Sequence, residues 1–173
     1  FVTNAPPGAY KWEVRAYTDA AHTNGAFSSQ RTFTIPPLSD YTYTLPGGTG
    51  VATDYRIFTV PLYTGTIKGL LQRLEKTLGT YSPSGRWRIF FYINYGYFEI
   101  NNPSIQNMPY APGMAAWIIS RDTTQVPFTG GAVPENMFSM KLKGNAWHLV
   151  GLPWKDTAID LNKIRVTDGT HTY

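Results

Sequence analysis

The side chains able to do chemistry in this sequence are few and widely separated. His22 lies in a polar loop, His148 in an apolar stretch and His171 near the end, and no two share the His-x-x-x-His spacing of a metal site. The absence of cysteine removes disulfides, thiolate metal ligands and cysteine nucleophiles. No Gly-x-Ser-x-Gly run offers an elbow for serine catalysis. Glycoside hydrolysis needs two carboxyl groups flanking one bond. Glu99, Asp122 and Glu135 are the candidates, and nothing in their spacing brings two together. Glu99 follows Phe98 in an aromatic stretch and is the first to test; its plainer reading is a charge that discourages strand addition at a sheet edge. Asp156 and Asp160 lack the spacing of an EF-hand Ca²⁺ loop. Pro46-Gly-Gly-Thr-Gly50 lacks the Lys-Ser/Thr of a phosphate loop and has no helix directly after it, so it reads as a flexible linker. The chain is expected to be non-catalytic, with no metal and no cofactor.

The remaining chemical resource is aromatic. Tyr92, Tyr95, Tyr97, Phe98 and Tyr110 gather around one turn and one loop. Exposed there, flat rings stack on sugars, with Asn94, Asn101 and Asn102 supplying hydrogen bonds. Buried, they are core. The candidate glycan-binding set is Tyr92, Tyr95, Tyr97, Tyr110 and Asn94, against a core reading favoured by the strand-like character of residues 87–97.

Composition narrows the classes further. The 173 residues hold 12 Tyr, 9 Phe and 5 Trp with only 15% charged residues, which suits a β protein with many turns and a buried core. The net charge of +4 comes from lysines and arginines spread along the chain, without the clustered basic face expected of a nucleic-acid binder. No apolar run is long enough to span a membrane.

The elements that must position these residues are organised around Tyr55-Arg-Ile-Phe-Thr-Val-Pro-Leu62, whose pattern returns as Trp147-His-Leu-Val-Gly-Leu-Pro-Trp154. Each reads as a short buried strand stopped by a proline, which has no N–H for a sheet ladder. In front of them, 10–17 and 30–35 alternate as two strands of a hairpin with one apolar face (Tyr10, Trp12, Val14, Ala16), which a hairpin cannot bury alone. Ile67, Leu70, Leu71, Leu74 and Leu78 predict one amphipathic helix over about 65–78, capped by Thr64 or Thr66 and ended by Gly79. Residues 86–100 predict a central strand or a hairpin bending at Asn94-Tyr95-Gly96, and 113–120 another strand. A loop is expected over 128–134, with strands over 137–143 and 163–167. The fold class is mainly β: an antiparallel sandwich-like module with one helix, preceded by a hairpin. The division expected is 1–36 hairpin, 37–53 linker, in which Tyr41, Tyr43 and Leu45 alternate as a short extended piece that docks, and 54–173 module, with both ends of the chain cut from something longer.

Two stretches carry resemblances. Gly8-x-Tyr10-x-Trp12-x-Val14-Arg15-Ala16, Asp19-Ala-Ala and Ser29-x-x-Thr32-Phe-Thr-Ile35 resemble the last two strands of a bacterial fibronectin-type-III or immunoglobulin-like domain. From Tyr55-Arg-Ile-x-x-Val-Pro-Leu62 the order continues with a leucine-rich helix ending Leu78-Gly-x-Tyr81, and then Trp87-Arg-Ile-Phe-x-Tyr92. Tyr97-x-Glu99, Pro112-Gly-x-Ala-x-Trp-Ile-Ile119 and Trp147-x-Leu-Val-Gly-x-Pro-Trp154 follow. Residues 54–168 thus resemble an uncharacterised β module near the C-terminal ends of large secreted or surface proteins of environmental bacteria. Ala146 and Leu152 stand where that pattern usually has Gly and Asn. The resemblance implies a secreted, multidomain surface protein and a structural, assembly or adhesion role, as in an extracellular filament. The partner it implies is another protein or a neighbouring copy joined by strand addition. The alternative is a carbohydrate-binding module appended to a secreted hydrolase. No catalytic residues come with it.

Overall fold

Alternating apolar and polar residues decide most of the local structure. The computed structural model describes residues 7–21, 25–35, 37–133, 138–142, 144, 146–155, 165, 167, 170 and 171. At the start, β1 (Gly8–Trp12) and β2 (Arg15–Tyr17) run out, and β3 (Gly25–Phe27) and β4 (Arg31–Ile35) return antiparallel to them. Trp12 faces Arg31 and Arg15 faces Phe27, so the returning strand carries one extra residue between the two ladders, a bulge. Tyr10 and Phe33 are cross-strand partners with stacked rings 5.4 Å apart. No described side chain of this hairpin joins the core cluster.

The core is built by the next elements. β5 (Leu38–Leu45) is followed by a 3₁₀ turn at Ala52–Asp54, β6 (Arg56–Thr59), β7 (Leu62–Tyr63) and β8 (Gly65–Thr66). Helix α1 (Ile67–Leu78) comes next, then β9 (Trp87–Ile93), β10 (Gly96–Glu99) and the short helix α2 (Pro103–Gln106). β11 (Pro109–Tyr110), β12 (Ala115–Ser120) and β13 (Thr124–Ala132) complete the described elements. A four-stranded sheet has the order β10-β9-β12-β6, a three-stranded sheet the order β5-β13-β7, and β8 pairs with β11. All pairings are antiparallel. The two larger sheets meet through rings. Phe58 of β6 lies 5.0 Å from Tyr43 of β5 and 6.0 Å from Phe128 of β13. The sandwich-like β module expected from the sequence is therefore observed.

Helix α1 forms where predicted, with Ile67, Leu70, Leu71 and Leu74 buried. Burying each such side chain is worth about 1.5–3 kcal/mol relative to exposure. The Thr66 hydroxyl accepts the N–H of Gly69, and Gly79 ends the helix at φ +82°. The helix begins two residues later than its periodicity suggested, because Gly65 and Thr66 pair instead with Tyr110 and Pro109. The hairpin of β9 and β10 turns through Asn94 and Tyr95, both at positive φ. Among the described residues, no helix is long and apolar enough to cross a membrane.

Four expectations need correction. Within the linker expected over 37–53, the short extended piece is a full sheet strand over 38–45: Tyr41, Tyr43 and Leu45 alternate inward as read, and eight residues pair with β13. The loop expected over 128–134 is strand as far as Ala132. Gly130 permits this, because a Cβ there would lie 2.5 Å from the carbonyl oxygen of Tyr63 on the adjoining strand. Trp147–Trp154 is no counterpart of Tyr55–Leu62. Trp147 is 86% exposed, and among the described residues the segment makes a single bridge, Val150 to Met114, with the Gly151 N–H donating to Gly113. β12 already has β6 on one edge and β9 on the other, so only the residues just before it are left to pair. No strand forms over 138–142, and the strand expected at 163–167 lies largely outside the described residues.

Candidate functional site

The residues expected to stack on a sugar separate into three environments. Tyr92 and Tyr97 face each other in the β9–β10 register, with rings 5.0 Å apart. They lie on the sheet face turned away from Phe91 and Phe98, which join the core. Asn94 and Tyr95 form the exposed hairpin turn. Tyr110 belongs to the core and is withdrawn from the set. It is 1% exposed, its hydroxyl accepts the N–H of Val60 and donates to the carbonyl of Met114, and burial holds its phenol well above the ordinary tyrosine range. Asn102 is occupied as a helix cap, its Oδ1 accepting from the N–H and the hydroxyl of Ser104.

The register assembles something the sequence did not reveal. Across the outer face of the four-stranded sheet, one rung reads Glu99, Phe90, Trp117, Ile57, each directly opposite the next. The Tyr55 ring stands 6.0 Å from that of Phe90. Ala52, Tyr55, Phe90, Tyr97 and Trp117 line a shallow cavity of about 450 Å³, almost wholly apolar. An outer sheet face normally carries polar residues, so the half-buried rings of Phe90 and Trp117 on adjacent strands, with Tyr55 and the exposed Tyr97 beside them, are a departure with content. Phe90 and Tyr92, read alone, suit a second apolar face of the central strand expected over 86–100. The one signal against that was Arg88, a charge in the same row.

Arg88 forms an ion pair with Glu99, and its guanidinium lies 4.7 Å above the Phe90 ring. The hydrogen bond to Glu99, opposed by partial burial, raises the guanidinium further above its already high range. Tyr81 packs edge-on to Trp87 with its hydroxyl buried and without a hydrogen-bond partner among the described residues. Burial, and then the charge of Glu99, pushes this phenol up to about 12. Asp122 is clasped by Arg86 at 2.6 and 2.5 Å, which holds its carboxyl below the usual range. Both carboxylates among the described candidates are thus bound to arginines; Glu99 borders the outer-face cavity through its cross-strand neighbour Phe90 without lining it. Glu135, Asp156, Asp160 and His22 lie outside the described residues. Among the described residues no three His, Asp or Glu side chains gather as a metal site.

A second cavity of about 510 Å³ lies between the hairpin turn and the segments 138–142 and 146–150; Tyr92, Asn94, Tyr95, Lys141 and His148 are on its wall. Lys143 and Asn145, which fall between those segments, lie outside the described residues. The outer sheet face is the better-built site. It is held by three paired strands and by the turn at Ala52. Asp54 Oδ2 fixes that turn by accepting the N–H groups of Thr49, Gly50 and Val51 at 2.7, 2.9 and 3.2 Å. No family model matches this chain, and no significant match to it is found among curated proteins or solved structures.

Proposed function

We propose that the chain is a non-catalytic assembly module of a secreted, multidomain surface protein, and that the β1–β4 hairpin joins it to a neighbouring copy. One observation carries this reading. Trp12, Val14 and Phe33 of the hairpin remain 46%, 56% and 43% exposed, and β1 and β4 pair only with each other among the described residues. Two strands with one apolar face are marginal in water and gain stability when another β element covers the face or extends the ladder. The opposite face, with Lys11 and Thr32, is polar and suits solvent. Aromatic side chains bury about 150–250 Å² each when fully covered. Two copies meeting through Tyr10, Trp12, Val14 and Phe33, with one strand edge paired, approach the ~1,000 Å² expected of a specific interface.

Sedimentation of the whole chain over a wide concentration range tests this. Self-association lost in a Trp12→Ser/Phe33→Ser double variant, with thermal unfolding of the β5–β13 module unchanged, is the expected result. A wild-type chain that stays monomeric up to several hundred micromolar, with hairpin amides exchanging freely, would overturn it.

A further inference from the structure

We infer that the outer face of the four-stranded sheet is a binding site for an uncharged glycan, seated in the cavity framed by Tyr55, Phe90, Tyr97 and Trp117. This surface uses none of the hairpin residues and stands or falls independently of assembly.

The argument begins with shape. Phe90 and Trp117, opposite one another on adjacent strands, form the floor. Tyr55, Ala52 and Tyr97 form the walls, and Tyr97 is 64% exposed, standing clear of the sheet. A volume of about 450 Å³ falls in the range of small-ligand sites. A second β-sheet packing here would need a level face about 10 Å away, which the raised Tyr97 and the Ala52 turn deny it. This shallow, uneven shelf therefore favours a ligand of a few rings over a flat protein partner.

Charge then selects the class. The described ion pair on this face is Arg88–Glu99, whose two charges cancel, and the guanidinium carbon lies 4.7 Å from the centre of the Phe90 ring. An anionic ligand meets Glu99 and a cationic one meets Arg88, so neither sign is favoured. What fits is a neutral molecule with a flat apolar C–H face for the rings and hydroxyl groups along its border. A pyranose has both. Its border hydroxyls find the phenols of Tyr55 and Tyr97 and the polar atoms of the ion pair. The site is also pre-organised: strand pairing holds the floor and the Asp54 carboxylate holds the Ala52 turn, so little ordering is lost on binding.

The test is titration of the whole chain with neutral hexaoses of the gluco, manno, xylo and chito series, followed by tryptophan fluorescence and calorimetry. Saturable binding of at least one series is expected. Tyr97→Ala, an exposed wall residue whose loss leaves the fold intact, should weaken that binding about tenfold, the scale of one stacking contact of roughly 1.4 kcal/mol. Trp117→Ala should weaken it more, with circular dichroism confirming that the sheet survives. Tyr95→Ala, at the turn, should leave it unchanged. No binding by any series at millimolar concentration, a preference for a polyanionic glycan, or an unaltered Tyr97→Ala titration would each overturn the proposal.

Discussion

The hydroxyl of Tyr110 accepts the backbone N–H of Val60 at 2.9 Å, joining residues that neither sequence proximity nor a strand ladder brings together. Pro61 follows, and with it the ladder of β6 has ended, so this amide has lost its sheet partner inside the core. Tyr110→Phe keeps the ring and strands the donor. It is expected to cost about 1–3 kcal/mol, seen as a lower urea midpoint with an unchanged slope.

Tyr95 sits at φ +67° in a two-residue turn whose second position is normally glycine. The left-handed conformation costs an ordinary side chain about 1–2 kcal/mol. Tyr95→Gly is expected to stabilise the hairpin by up to about 1 kcal/mol and raise Tm by roughly 2–4 °C. A lower Tm would mean that the ring contributes more than the turn loses.

Gly130→Ala places a methyl against the Tyr63 carbonyl and 3.1 Å from Leu62 Cβ, both on the strand paired to it. Backbone cannot step aside cheaply. A loss of about 2 kcal/mol or more is expected, with faster amide exchange at Gly131 and Ala132.

Two carboxyls link stability to acid. Partial desolvation acts to raise Asp54, but the N–H groups of Val51, Thr49 and Gly50 outweigh it and hold the carboxyl low. Asp122 is held low by its hydrogen bond from Arg86. A carboxyl depressed in the folded state contributes stability that is fully present above its unfolded pKa near 4 and is lost as pH falls through the lower folded value. Tm should therefore be level at neutral pH and fall below about pH 4. The gap between wild type and Asp54→Asn should close over the same window, measured by thermal melts at low salt.

How much of this was legible depended on how local the deciding interaction was. Helix α1 announced itself because Ile67, Leu70, Leu71 and Leu74 share one face whatever lies elsewhere. The turn at Asn94 and Tyr95 was readable for the same reason. β5 was legible only in part, through the alternation of Tyr41, Tyr43 and Leu45, and β13 was not. Their identity as full strands rests on pairing Leu45 with Thr124 and Leu38 with Gly131; Pro127, Gly130 and Gly131 within β13, and the prolines and glycines flanking β5, suggest loops when read alone. Trp147–Trp154 shows the converse, since it repeats the pattern of Tyr55–Leu62 and yet finds both edges of β12 taken. The outer face was hidden because Tyr55, Phe90 and Trp117 belong to three segments aligned only by register.

The run Pro46-Gly-Gly-Thr-Gly50 fails as a phosphate loop for a reason that its letters do not show. It has the converging amides such a loop needs, but the protein carries the guest anion itself: the Asp54 carboxylate fills the seat, 2.7 Å from the Thr49 nitrogen and 2.9 Å from that of Gly50. The glycines serve a tethered counter-ion instead of a dissolved one. Taking that carboxylate away would vacate a ready-made oxyanion receptor. An Asp54→Ala chain whose lost stability returns with millimolar sulfate, while wild type ignores the salt, would expose the loop as a receptor permanently occupied by its own chain.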